Sequence, residues 1–281
     1  MNVFSRDMQN LTQASKRNFR DPAALDWPVE LDPQAWQFTP ELISIYQTPV
    51  WDSLSEFARR QLGFYEAINF FSLSIHGEKH LISEVSRQLY RDDDPDLNAL
   101  LLHYIEEEAR HMISFNEFCQ RYAGKVYPDT SHPQDVTGND ALDTFLLFAR
   151  IFLFEEIIDE YNRIIAADDR VAGIAGEINR FHHADEARHL AFERKFLHRQ
   201  LDRLRPEWDQ DTSRYVRDHL TGYLETIWKQ FYNPQVYLDA GIENAAGILP
   251  EAFNHPAAVE HRRDLGMRRL SLLREMNLVE I

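Results

Sequence analysis

The chain has 281 residues, of which 44% are hydrophobic and 27% charged, a composition that excludes wholesale disorder. Only 10 residues are glycine, which weighs against an all-β protein. With 30 basic and 46 acidic side chains the net charge is −16, the wrong sign for a nucleic-acid or anionic-membrane partner. The single cysteine, Cys119, rules out an internal disulfide and a thiolate metal site, and fits a reducing, cytoplasmic setting. The N-terminal segment carries Arg6, Asp7, Lys16, Arg17 and Arg20 and does not read as a secretory signal. The longest uncharged stretch, Ala67 to Gly77, falls short of the ~18 residues that cross a bilayer.

Prolines divide the chain. Five of the 12 fall in the first 50 residues, which therefore read as an irregular arm with short helical pieces. A helix follows from about Ser53 to Tyr90, with a bend expected at Gly63; its apolar residues Phe71, Ile75, Ile82, Val85 and Leu89 keep the helical period. Asp94-Pro95 reads as an N-cap with proline at the first helical position, and opens a helix that ends at about Tyr122 before Gly124. Lys125 to Asn139 is a loop. The next helix spans about Asp140 to Ala167, and after a turn at Asp168 to Gly173 another continues to about Leu204. Pro206 opens a further helix to about Tyr232, and the remainder is helical but more broken. The expected class is all-α: one domain with an arm (1–50), a four-helix core (51–205) and additional helices (206–281).

Two segments nearly repeat. Glu107-Glu108-Ala109-Arg110-His111 and Asp185-Glu186-Ala187-Arg188-His189 both read acid-Glu-x-Arg-His. Glu and His at i and i+3 share a helix face and can hold one metal ion together. A single copy is weak, because a solvated ion pair has the same spacing. Two copies on two long helices form half of a di-iron carboxylate bundle, whose other half is one Glu from each remaining helix. Depth identifies those residues. Glu78 and Glu108 are each 13 residues from the ends of their shared turn, Arg91 and Pro95; Glu155 and Glu186 are 16 and 15 residues from Val171. Glu66 would lie ~18 Å further along its helix and Glu84 ~9 Å the other way. Glu156 is rotated about 100° from Glu155, and Phe148, Phe152 and Glu155 form an inward stripe.

His182 shares a face with Glu186 and His189, either as a third imidazole ligand or as a histidine beside the site. Glu107 and Asp185 either hold the ring N–H of a histidine on the opposite helix or pair at the surface with Arg110 and Arg188. His183, His76, His80 and His103 lack ligand spacing. Carboxylates with imidazoles and no thiolate suit iron, or manganese. Phe70, Phe71, Phe148, Phe152 and Phe181 lie within about two turns of these residues, as pocket walls or as core. Arg150 and Arg163 meet a substrate carboxylate or, the simpler expectation, surface acids. Cys119 reads as a core residue.

Tyr46-Gln47-Thr48-Pro49-Val50-Trp51, Gly77-Glu78, Glu108-x-x-His111, Glu155 and His182-x-x-x-Glu186-x-x-His189 together resemble the p-aminobenzoate N-oxygenase (AurF-like) di-iron oxygenases of the ferritin-like superfamily. The likeness covers about residues 40–205, and the extra histidine is its most specific part. The resemblance implies a ferritin-like four-helix bundle with seven ligands to two iron ions: Glu78, Glu108, His111, Glu155, His182, Glu186 and His189. It also implies O₂ activation, an external electron donor, a homodimer, and oxidation of an aromatic amine through hydroxylamine towards a nitro product. Other di-iron oxidations (C–H hydroxylation, desaturation, oxidative cleavage), a manganese or mixed-metal oxidase, and iron storage are the rival readings.

Overall fold

Prolines and capping side chains set the helix boundaries in the computed structural model, which describes residues 3–91, 94–130, 137–171 and 173–281. The helices are α1 (Val3–Arg17), α2 (Pro49–Ser53), α3 (Glu56–Gln88), α4 (Pro95–Ala123), α5 (Asp140–Ala167), α6 (Ile174–Leu204), α7 (Gln210–Gln230), α8 (Pro234–Asp239), α9 (Ala245–Asn254), α10 (Pro256–Arg269) and α11 (Ser271–Glu275). No strand occurs among the described residues. Ser55 caps α3 by accepting from Ala58 N, and Asp94 caps α4 by accepting from Asp96 N and Leu97 N. Gly124 ends α4 in the left-handed region at φ 66°, where a residue without Cβ is at ease. Asn139 caps α5 through Ala141 N and Leu142 N.

Helices α3 to α6 form the four-helix core, in which α3 pairs with α4 and α5 with α6. Helix α5 is its most enclosed member: Phe145, Leu146, Phe148, Phe152, Leu153 and Ile157 are buried, and so are Glu155, Glu156, Asp159 and Glu160. Helices α7 and α10 cover its outer side. Arg269 of α10 reaches Glu156 and Asp159, each at 2.8 Å, which ties the C-terminal helices to the core.

Three local expectations change. The arm begins with a full helix, α1, that packs on α4 and α6. Residues 1–21 hold no proline, and Met8, Thr12 and Ser15 recur on one buried face. Helix α3 is continuous through Gly63, whose bare Cα accommodates the ring of Trp36. Pro206 lies in a 3₁₀ turn (Arg205–Glu207), and α7 starts after Asp209, which caps Thr212 N. Pro250 sits inside α9. Of the loop expected at Lys125 to Asn139, residues 131–136 lie outside the described part. Among the described residues no helix is long and apolar enough to cross a membrane.

Candidate metal centre

Glu78 of α3, Glu108 and His111 of α4, Glu155 of α5, and His182, Glu186 and His189 of α6 converge in the middle of the bundle, and all seven are buried. Their donor atoms fall into three overlapping groups, each within 4.8 Å: Glu78, Glu108, His111 and His182; Glu108, Glu186 and His189; Glu155, His182 and Glu186. Glu108, Glu186 and His182 belong to two groups each. His182 therefore lies inside the cluster, with Nε2 2.9 Å from Glu186 and 3.3 Å from Glu78. His111 Nδ1 is 3.0 Å from Glu108, and His189 Nδ1 is 2.8 Å from Glu108.

Each ring is held from behind. His189 Nε2 meets Glu107 at 2.9 Å and His111 Nε2 meets Asp185 at 3.3 Å, so each acid serves the histidine of the other helix. Arg188 donates to both acids at 2.6 Å, and both acids are buried, so the expected alternative of pairing at the surface does not hold. His182 Nδ1 lies 2.6 Å from the Asn162 amide, whose Oδ1 is otherwise unpartnered; turning the amide lets Oδ1 accept the ring N–H. Ser15 of α1 donates to Glu107 at 3.3 Å. Neither Ser15 nor Asn162 was legible as a site residue, since neither belongs to the repeat; the proline-free start of the chain was the one available signal for α1.

These contacts leave the inward atoms bare. Both carboxylate oxygens of Glu78, Glu155 and Glu186, Oε1 of Glu108, Nε2 of His182 and Nδ1 of His189 are buried without a well-aligned hydrogen bond, although His182 and His189 approach the carboxylates to 2.8–3.3 Å. So many orphaned acceptors facing one another is costly in a low-dielectric interior unless cations lie among them. Burial pushes the Glu78 carboxyl up to about 7. Burial opposes a charge on His111, but Asp185 and Glu108 outweigh it and lift the imidazole to about 9. Burial and the charges of Glu186 and Glu108 raise Glu155 well above the usual range. Four carboxylates and three imidazoles with no thiolate are a donor set for iron or manganese.

The remaining candidates fall elsewhere. Glu66 accepts from Ser44 N at 3.2 Å, away from the cluster. Glu156 turns towards Arg194 and Arg269. His183 meets Asp159, His76 meets the Tyr127 carbonyl at 2.7 Å, His80 meets Asp129 at 2.9 Å and His103 meets Glu106 at 3.1 Å. Cys119 is buried, and burial pushes its thiol up to about 12.

A cavity of about 690 Å³ runs between α3 and α5, with Glu155 in its wall. Leu73, Gly77 and Leu81 line one side, Leu147, Ile151 and Phe154 the other, and Tyr223 of α7 joins them. A Cβ on Gly77 would run into the ring of Phe154, so the glycine lets that ring lie against α3 beside Glu78. None of Phe70, Phe71, Phe148, Phe152 and Phe181 lines this cavity. They pack in the core instead: Phe71 stacks on Phe115 with ring centroids 5.2 Å apart, Phe148 lies 4.2 Å from Phe196, and Phe181 stands edge-on to His111 at 5.7 Å. Arg163 pairs with Glu160 at 2.8 Å, as expected of a surface arginine, but Arg150 lines the cavity.

No curated protein matches the sequence. Among solved structures, two variants of an R2-like ligand-binding oxidase with anaerobically reconstituted Mn/Fe cofactor superpose with TM-scores of 0.52 and 0.51, each at 14% identity; 96% of this chain is covered, and 93% and 92% of theirs. The R2-like ligand-binding oxidase of Sulfolobus acidocaldarius is 16% identical, over 97% of this chain and 91% of its own, with a TM-score of 0.48. At such identities the superpositions above 0.5 show a likeness of fold alone, the helical bundle described above. The family model "P-aminobenzoate N-oxygenase AurF" matches residues 5–277, nearly the whole chain, and the protein therefore belongs to the AurF family of p-aminobenzoate N-oxygenases.

Proposed function

We propose that this oxygenase uses O₂ to oxidise the nitrogen of a small aromatic amine, through hydroxylamine towards a nitro product. The observation that carries the reading is the buried set of four carboxylates and three imidazoles, its inward lone pairs without well-aligned hydrogen bonds, beside a cavity sized for a small organic molecule. The cofactor is a pair of metal ions, two irons in this reading, with manganese compatible with the same donors. Glu78, Glu108, His111 and His182 would hold one ion, and the overlapping groups of Glu108, Glu186 and His189 and of Glu155, His182 and Glu186 would hold the other. When bound and reduced, the pair supplies electrons to O₂.

The chain's own residues do the rest. Glu107, Asp185 and Asn162 hold the outward ring nitrogens, which fixes the inward ones as lone-pair donors. Arg188 balances the charge of Glu107 and Asp185 from behind. Phe115, 5.0 Å from His182, and Phe181 keep water from the α4–α6 side. The cavity between α3 and α5 is the route by which the amine enters, and Glu155 is the one residue of the seven that lines it. An external electron donor and a homodimeric assembly belong to the same reading.

Anaerobic titration with Fe(II), then exposure to O₂ with p-aminobenzoate and aniline and mass analysis of products, tests it. Saturation at two ions per chain with hydroxylamino or nitro products supports N-oxygenation. A carbon-oxidised product transfers the protein to another di-iron oxidation. Iron oxidised far beyond two equivalents, with the amine untouched, means storage.

A further inference from the structure

The α3–α5 cavity contains an arginine, Arg150, that no acid contacts directly; Asp143 and Glu84 act on it only from a distance. Among its arginines, Arg87 pairs with Glu84 at 3.0 Å and Arg91 with Asp140 at 3.4 Å. Arg150 has no carboxylate within ion-pair distance among the described residues. Its Nη1 donates to Nε2 of His219 on α7 at 3.0 Å, a contact that orients the guanidinium. The other acids of the cavity are engaged: Asp143 accepts from Thr137 N at 2.8 Å and from Thr137 Oγ1 at 2.7 Å, and Asp129 binds Lys79 at 2.8 Å. Arg150 is half-buried beside Leu147 and Ile151, where burial depresses its pKa without discharging a guanidinium. A planar cation in such a place, with spare N–H donors, is a receptor for a planar oxyanion.

Its position relates it to the cluster. Arg150 precedes Glu155 by five residues on α5, a rise of about 7.5 Å along the axis, and both line the same cavity. One small aromatic ligand held in that cavity can therefore meet both side chains. We infer that Arg150, oriented by His219, is the specificity-determining residue of the cavity: it takes the carboxylate of the substrate and thereby sets the opposite end of the ring against the Glu155 side of the cluster. The anion site stands on the cavity geometry; only the identity of the oxidised atom rests on the N-oxygenase reading.

The test is calorimetric binding of benzoate and of benzamide to the metal-loaded full-length protein, for the wild type, Arg150→Gln, Arg150→Lys and His219→Ala. The wild type should prefer benzoate, and Arg150→Gln should weaken benzoate about 10- to 100-fold while leaving benzamide unchanged, as loss of a charged hydrogen bond does. Arg150→Lys should retain part of the preference and His219→Ala should blunt it, with melting temperatures close to wild type as the check on folding. Undiminished benzoate affinity in Arg150→Gln would mean that the anion sits on the metal ions or elsewhere, and overturns the assignment. So would a wild type that does not distinguish benzoate from benzamide. Charge-selective binding lost in Arg150→Gln, in a protein that makes no N-oxidised product, would leave the anion site standing and remove the proposed reaction.

Discussion

Glu107 and Asp185 illustrate how much of this site depends on groups that do not face its centre. Each accepts from an imidazole on the opposite helix and from Arg188, and each is buried. Glu107→Gln keeps the size but turns a charged acceptor into a neutral one, so His189 loses basicity and a fixed tautomer. The expected outcome is an unchanged stoichiometry of two ions with affinity lowered about 10-fold or more, measured by competition with a chromophoric chelator. Glu66 offers a contrast, a buried acid with no part in the cluster. Burial raises its carboxyl to about 7 despite the bonds from Ser44. The folded state thus holds a proton that the unfolded chain releases near pH 4.5. That contribution is complete below pH 4.5 and is lost as pH rises through 7, a change of about 3 kcal/mol at 1.36 kcal/mol per pKa unit. Urea denaturation between pH 4 and 8 should show Glu66→Gln less pH-dependent than the wild type, and more stable than it at pH 8.

Helix packing decides which residues reach the cavity, and here the α3–α5 contact turns on Gly77. The Phe154 ring occupies the space a Cβ would fill, so Gly77→Ala must displace the ring or part the helices. Overpacking of this kind costs about 1–3 kcal/mol. Adding Phe154→Ala to Gly77→Ala should recover part of that loss in a thermal melt, since the two share one contact; additive losses would separate them. The helices themselves were legible because prolines and caps are local signals. The depths of Glu78 and Glu155 were legible too, because a short turn and a constant rise fix levels on antiparallel helices. What the sequence withheld came from interhelical packing. Ser15 meets Glu107 from 92 positions away, Arg150 turns into a cavity rather than to a surface acid, and Phe154 lines that cavity while Phe70, Phe71, Phe148, Phe152 and Phe181 do not. Periodicity orders residues around a helix, but it does not say whether a neighbouring helix closes against a given face or leaves a gap.

At the scale of the whole molecule, the cluster places four acids and three imidazoles inside a bundle that is already at −16 net charge, so the fold and its cofactor are coupled. Metal ions that bind the folded bundle and not the unfolded chain stabilise it by about 2.7 kcal/mol at a hundredfold excess over Kd. The pH dependence has a definite sign. The lifted pKa of His111, about 9, stabilises the metal-free fold below pH 6.5, and that stability is lost as pH rises through 9. Ions compete for the same nitrogen, so loading displaces its proton and binds more tightly as pH rises. The gap in melting temperature between metal-loaded and chelator-treated protein should therefore widen from pH 6.5 to 8.5, and loading in weak buffer at pH 7 should acidify the solution. Calorimetry in buffers of different ionisation enthalpy counts those protons. A gap that stays constant across this range, with no proton released, would mean that the ions bind outside the buried cluster and that its acids and imidazoles neutralise only one another.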